Sequence, residues 1–143
     1  GFQKFLPAII FLIACGLAFA TGSSWGTFGI LIPIVVEVFP NDSEILIIAI
    51  AACLGGAVMG DHISPISDTT IMASTGAQCN HINHVATQIP YALTVTVVAF
   101  VSYILAGFIQ NVVINLIIAI VLMVAVLLVI GRLTKSKTPA GIK

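Results

Sequence analysis

Residues 60–90 read GDHISPISDTTIMASTGAQCNHINHVATQIP and form a polar stretch in an otherwise strongly apolar chain. The stretch holds two of the five acidic residues, Asp61 and Asp68, and all three histidines. Of the 143 residues in the chain, 59% are hydrophobic and 7% are charged, whereas ordinary soluble domains are about 25% charged. The sequence therefore predicts a multi-pass membrane protein with polar chemistry enclosed by apolar helices.

Charge and composition exclude several classes of function. The formal net charge is zero, which argues against a nucleic-acid partner. No nucleophile with an adjacent base and no cofactor motif can be found, so we predict neither an enzyme nor a bound cofactor. Cys15 and Cys53 lie in apolar runs, where a small buried side chain is expected rather than half of a disulfide.

Short apolar runs before the polar stretch predict a helical hairpin. As helices, residues 5–20 and 28–39 would extend about 24 Å and 18 Å, short of a hydrocarbon core of about 30 Å. We therefore predict a re-entrant hairpin over residues 5–39 whose tip faces the protein interior; two tilted spanning helices are the alternative. The tip consists of Gly22, Ser23, Ser24, Trp25, Gly26 and Thr27, with Trp25 expected to pack.

Residues 45–79 predict a broken transmembrane helix. Residues 45–59 would form a half-length helix of about 22 Å, and Pro65 disfavours helix at Ser64. Helix is expected to restart near Ile66, since Asp68 and the threonines after it suit a first turn.

The rest of the chain predicts an interfacial turn and two spanning helices. The turn covers residues 80–88, and residues 90–109 and 112–131 are each long enough to span. Residues 132–143 are basic and predict a cytoplasmic tail. Counting back from that tail puts the acidic turn at residues 40–44 outside.

Asp61 and Asp68 are the candidate cation- and proton-binding groups. The hydroxyls of Ser64, Ser67, Thr69 and Thr70 lie close to them in sequence. Such an oxygen-rich set suits a hard cation such as Na⁺. A carboxylate in an apolar site is neutralised by either a cation or a proton, so the two compete. The alternative is structural, with Asp61 pairing with His62 or capping a helix and Asp68 capping the next one.

The remaining polar side chains of the stretch are less specific. Cys79, His81 and His84 form a C-x-H-x-x-H cluster whose spacing is not that of a common structural zinc site and which lacks a fourth ligand nearby. We instead expect His62, His81 and His84 to line the cytoplasmic mouth or to sense pH, because histidine titrates near neutrality.

Two segments, GDHISPISDTT at residues 60–70 and CNHINHV at residues 79–85 followed by TQIPY at residues 87–91, closely resemble the signature of the NhaC-type sodium/proton antiporter family. GSSWGT at residues 22–27 is similar to the hairpin motif of that family, and the resemblance covers residues from about 20 to 95. It implies one half of an inverted-repeat transporter, in which re-entrant hairpins and broken helices meet at the membrane midplane. The expected partners are the lipid bilayer, Na⁺ and H⁺, the remaining N-terminal repeat and a second copy in a homodimer, in a prokaryotic plasma membrane.

Three functions are consistent with these sequence features. The first is secondary active sodium/proton antiport, with Na⁺ held at Asp61 and Asp68 and the hairpin tip closing the site. The second is sodium- or proton-coupled exchange of small carboxylates, such as malate or lactate, or of amino acids, with Ser23 and Ser24 contacting the anion. No lysine or arginine lies near either break, which argues against a strongly bound anion. The third is a non-transporting membrane subunit in which the polar breaks only pack helices.

Overall fold

The computed structural model describes residues 2–39 and 43–135, and the regular structure in these ranges is entirely helical. The predicted all-α architecture is thus confirmed. A 3₁₀ turn at Phe2–Phe5 leads into α1 (Leu6–Thr21), α2 (Ser24–Val38), α3 (Glu44–Ile63), α4 (Asp68–Gly76), α5 (His81–Ile109) and α6 (Val112–Lys135).

Four helical segments of the described chain are long and apolar enough to cross a membrane. They are Gln3–Thr21, Glu44–Ile63, His81–Ile109 and Val112–Leu133. The expectation that the first apolar run is too short is wrong, because helical residues before and after it extend the run to 19 residues, or about 28 Å. The apolar helix α2, at 15 residues, stays short. The chain is a multi-pass membrane protein.

α3 and α5 are both longer than the sequence predicts. α3 continues past residue 59 to Ile63, so the segment before the break is a full-length helix of 20 residues. α5 begins at His81, and the interfacial turn predicted at residues 80–88 is wrong. The side chain of Asn80 caps α5 by accepting a hydrogen bond from the amide of Asn83 at 3.0 Å, which lets the polar residues after it join the helix.

Two predicted segments fall partly outside the described residues. Of the acidic turn at residues 40–44, residues 40–42 are not described, while Ser43 caps α3 by accepting from the amide of Leu46 at 3.3 Å. Of the basic tail, residues 136–143 are not described. Arg132 is still part of α6.

The centre of the fold is a close parallel contact between α1 and α3. Gly56 and Gly60 face α1, and a Cβ atom on Gly60 would lie 2.8 Å from the carbonyl carbon of Cys15 and 2.9 Å from the amide nitrogen of Phe19. Such a small-xxx-small pair allows two helix backbones to touch inside a membrane. The neighbouring buried side chains are also small: Ala14, Ala18, Ala49, Ala52, Cys53 and Ala57.

The other helices surround this pair. α2 closes the core with Val35 and Phe39. α5 packs on the opposite side, where the ring of Tyr103 lies 5.2 Å from that of Phe11 and its hydroxyl donates to the carbonyl of Ala51 at 3.0 Å. α6 contacts α5 and has no buried residue in its spanning window. The end of α1 and the turn after it lie against the α3–α4 break.

Candidate functional site

The break between α3 and α4 covers Ser64, Pro65, Ile66 and Ser67. The amide of Ser64 donates to the carbonyl of Asp61 at 3.1 Å, and the amide of Ser67 donates to the carbonyl of Ser64 at 3.3 Å. Pro65 has no amide to donate, and it disfavours helix at the residue before it. The break predicted around Pro65 is therefore present, with α4 starting at Asp68.

The turn between α1 and α2 packs directly against this break. Gly22 adopts a left-handed conformation with φ of 66°, which glycine accepts without strain. A Cβ atom on Gly22 would lie 2.9 Å from the carbonyl carbon and oxygen of Ile66. Glycine thus allows both the reversal of the chain and the close contact with the break.

The predicted hairpin tip is mostly helical. Only Gly22 and Ser23 form the turn, and Ser24 begins α2. The Ser23 hydroxyl caps α2 by accepting from the amide of Gly26 at 3.2 Å, and the buried Thr27 donates to the carbonyl of Ser23 at 2.9 Å. Trp25 is 82% exposed, and the packing expected for it is limited to an edge-to-face contact with Phe28 of the same helix, with ring centroids 5.8 Å apart.

Hydroxyl groups tie the break to the elements around it. Ser64 donates to the carbonyl of Phe19 near the end of α1 at 2.7 Å, and Thr70 donates to the carbonyl of His62 at 3.1 Å. The hydroxyls of Ser67 and Thr69 lie 2.7 Å apart. Ser64, Ser67 and Thr70 are all buried.

The two candidate carboxylates lie in different surroundings. Asp61, on the last turn of α3, is 6% exposed, and its Oδ1 has no hydrogen-bond partner among the described residues. Asp68 is exposed at the first position of α4, where the helix dipole stabilises a negative charge. Neither carboxylate forms a hydrogen bond to the four hydroxyls in the described chain, so the polar groups share the break without forming one closed cluster.

His81 is the histidine that contacts the break. Its Nε2 lies 2.7 Å from the carbonyl oxygen of Pro65, and its Nδ1 lies 3.0 Å from the hydroxyl of Ser74. The hydroxyl of Ser74 also lies 2.9 Å from the carbonyl oxygen of Ile71. These contacts connect the start of α5 both to the break and to α4.

The other members of the C-x-H-x-x-H cluster stand apart. Cys79 is exposed and not in a disulfide, and its thiol donates to the carbonyl of Ser74 at 3.6 Å. His84, one turn after His81, makes only backbone hydrogen bonds in the described chain. Over residues 2–39 and 43–135, no group of three or more His, Cys, Asp or Glu side chains is arranged to hold a metal ion.

His62 points to another part of the molecule. It lines an open cavity of about 410 Å³ between α3 and α5, together with Val95, Thr96 and Tyr103. The cavity is mostly apolar. His62 thus lines this cavity, whereas His81 contacts Pro65 and Ser74; a place for the histidines at a cytoplasmic mouth or in pH sensing stays a prediction.

Sequence reasoning missed the long-range partners of the backbone carbonyls, and it missed Ser74. The carbonyls of Phe19 and Pro65 are acceptors from residues 45 and 16 positions away along the chain, and no local pattern encodes such pairs. Gln88 was also missed: its Oε1 is a second buried oxygen without a partner in the described chain, and Asn115 Oδ1 is the third. A polar amide inside a long helix is the signal that could have drawn attention to both.

Comparison with the sequences of known proteins places the chain among antiporters. Residues 3–108 match the model of the Na⁺/H⁺ antiporter family. A Haemophilus influenzae protein of unassigned function is 52% identical over 107 residues, covering 74% of this chain and 21% of that protein. The Malate-2H(+)/Na(+)-lactate antiporter of Bacillus subtilis is 30% identical over 110 residues, which are 73% of this chain and 24% of that protein.

A third relative, the arginine/ornithine antiporter ArcD of Halobacterium salinarum, is 32% identical over 111 residues, covering 75% of this chain and 23% of that protein. No solved structure matches the chain significantly. The chain spans about a fifth to a quarter of the length of the curated relatives it matches. Because the family match covers most of its residues, the chain belongs to the Na⁺/H⁺ antiporter family.

Proposed function

We propose that this chain carries the ion-binding part of a secondary active transporter that exchanges sodium for protons. The observation that supports this most directly is Asp61, a carboxylate 6% exposed whose Oδ1 has no partner in the described chain. It lies at the end of a helix long enough to span the membrane. Membership of the antiporter family supports the same proposal.

Burial of Asp61 provides the exchange chemistry. An unpaired charge in an apolar interior is strongly unfavourable, so a buried carboxylate is stable when it is protonated or when a cation neutralises it. Both ligands require the same oxygens. Binding of one therefore releases the other, which is the minimal requirement for antiport of Na⁺ and H⁺.

The hydroxyls around the break are suited to assist a cation. The hydroxyls of Ser64 and Thr70 donate hydrogen bonds to the backbone carbonyls of Phe19 and His62, respectively. A hydroxyl that donates in this way can still offer an oxygen lone pair, although one lone pair of Ser64 accepts from the amide of Ile66 at 3.4 Å. Several such oxygens are what a hard cation prefers. Ser67 and Thr69, which pair with each other, would add the remaining oxygens.

Asp68 takes an outer role in this proposal. It is exposed at the start of α4, where it would attract a cation toward the buried Asp61. The short α2 and the turn at Gly22 would form one arm and the tip of a re-entrant hairpin, and the inverted N-terminal repeat would cover the exposed side of the break. The chain's share of its relatives' length leaves room for such a repeat.

Proton flux in proteoliposomes tests the proposal. The complete protein is reconstituted with an internal pH-sensitive dye, and external sodium chloride is compared with choline chloride. Asp61→Asn should reduce sodium-evoked proton movement to the level of empty liposomes, since the amide keeps the shape of the side chain but cannot bind a proton or neutralise a cation. Glu37→Gln, which removes an exposed carboxylate on α2, is the matched control and should leave the flux unchanged.

Two results would contradict the role of Asp61 or the function. Equal sodium-evoked flux in Asp61→Asn and Glu37→Gln would exclude Asp61 as the exchange group. Absence of any flux in the unmodified protein, with sodium alone or with added organic substrates, would favour the non-transporting subunit.

A second candidate is sodium- or proton-coupled exchange of an organic substrate. It is favoured by relatives named as malate/lactate and arginine/ornithine antiporters. In this reading Ser23 and the start of α2 would contact a carboxylate, because free amides and the helix dipole favour an anion there. A proton signal that requires malate, lactate, arginine or ornithine outside the liposome would identify this function, and a signal with sodium alone would exclude it as the main one.

A further inference from the structure

We propose that His81 is a positioning residue of the ion site, acting through the carbonyl of Pro65. This inference rests on the proposed function, because it assigns His81 to the transport site rather than to a mouth or to pH sensing. The imidazole lies 2.7 Å from the Pro65 oxygen through Nε2 and 3.0 Å from the Ser74 hydroxyl through Nδ1.

The Pro65 carbonyl needs a donor that the backbone does not supply. In an unbroken helix this carbonyl would accept from the amide four residues later, but the helix is interrupted here, and no backbone amide of the described chain donates to it. A carbonyl oxygen can only accept, so Nε2 of His81 carries the proton in this contact. The histidine replaces the hydrogen bond that the break removes.

The second ring nitrogen fixes the orientation of the imidazole. Ser74 has one hydroxyl proton and two neighbours that can accept it, Nδ1 of His81 and the carbonyl of Ile71 at 2.9 Å. In a neutral ring, Nδ1 accepts from Ser74 while Nε2 donates to Pro65. Ser74 is buried and belongs to α4, so the ring is held from two sides and cannot turn freely.

The two segments that His81 contacts lie close in sequence to the two carboxylates. Pro65 follows the helix that ends just after Asp61, and Ser74 belongs to the helix that begins with Asp68. His81 itself starts α5, the helix that packs against α1 and α3 through Tyr103. The imidazole therefore sets the separation of the two helix ends across the break, and with it the arrangement of oxygens around Asp61.

Sodium-dependent exchange by the complete protein in proteoliposomes tests this role. His81→Ala should raise the KM for sodium about tenfold, the effect expected when one buried hydrogen bond is lost, with a smaller change in maximal rate. His81→Gln should bring KM back to within about threefold, because its amide can donate to Pro65 and accept from Ser74. His84→Ala is the matched control on the same helix and should keep the KM of the unmodified protein.

Hydrogen exchange of residues 64–70 gives a readout that does not depend on transport. His81→Ala should speed exchange at Ile66 and Ser67 about tenfold relative to His84→Ala, and equal exchange would show that the tether does not exist. Faster exchange with an unchanged sodium KM would make His81 merely structural and overturn the proposal. If the unmodified protein shows no sodium-evoked flux, the proposed transport function fails and the positioning role fails with it, while the exchange data still decide whether the tether forms.

Discussion

Replacing Gly60 with alanine tests the contact on which the whole site is built. The added Cβ would lie 2.8 Å from the carbonyl carbon of Cys15 and 2.9 Å from the amide nitrogen of Phe19, whereas ordinary contacts begin at 3.4 Å. α1 and α3 would have to separate by at least 0.6 Å, the difference between 2.8 Å and 3.4 Å. Both crowded groups are backbone, so no change of side-chain rotamer can relieve the contact.

The expected loss of stability follows from this geometry. Overpacking of a tight core costs about 1–3 kcal/mol, which outweighs the gain of about 0.5–1 kcal/mol when alanine replaces glycine inside a helix. Separation of the helices would also lengthen the 2.7 Å hydrogen bond between Ser64 and the carbonyl of Phe19. Gly60→Ala should therefore both destabilise the protein and weaken sodium-dependent exchange.

Unfolding of the purified protein in detergent, followed by circular dichroism, provides the assay. Gly16→Ala is the matched control, because it lies in α1 and a Cβ there would meet nothing within 4 Å. Gly60→Ala is expected to be less stable than the unmodified protein, and Gly16→Ala is expected to be equally stable or more stable. If Gly60→Ala were as stable as Gly16→Ala, α1 and α3 could not be packed as closely as described.

Two further substitutions examine the contacts between the hairpin turn, α1 and the break. Gly22→Ala should lower the unfolding temperature more than Gly26→Ala, since only Gly22 has a positive φ and would collide with the backbone of Ile66; equal effects would argue against the tight turn. Ser64→Ala should reduce the free energy of unfolding by about 1 kcal/mol, because it removes the bond from the break to α1. Thr75→Ala, which removes only a bond within α4 at 2.8 Å, should have a smaller effect, and the reverse order would refute the importance of the Ser64 contact.

Local sequence signals predicted the break and the last helix well. Pro65 removes an amide and biases Ser64 away from helix, and α6 is a continuous apolar run that ends close to the predicted boundary. Both features depend on residues close together in sequence. The helix break could therefore be found before any tertiary contact was known.

Other features depend on distant residues and could not be read locally. In the sequence Gly60 looks like part of the polar break, yet it belongs to α3. Its lack of a side chain allows the close contact with Cys15 of α1. Residues 81–88 look like a turn because they are polar, but the Asn80 cap starts a helix there. The unequal burial of Asp61 and Asp68 has the same origin, since their local sequences are alike in polarity and only tertiary packing separates them.

The exchange proposed at the buried Asp61 also has an electrical consequence. Moving one elementary charge across a membrane potential of 100 mV involves about 2.3 kcal/mol. A site whose buried charge is a single carboxylate is neutral when it holds either one sodium ion or one proton, so voltage does almost no work on either loaded form. Exchange at such a site is driven by the two concentration gradients, and the membrane potential acts only while the carboxylate is empty.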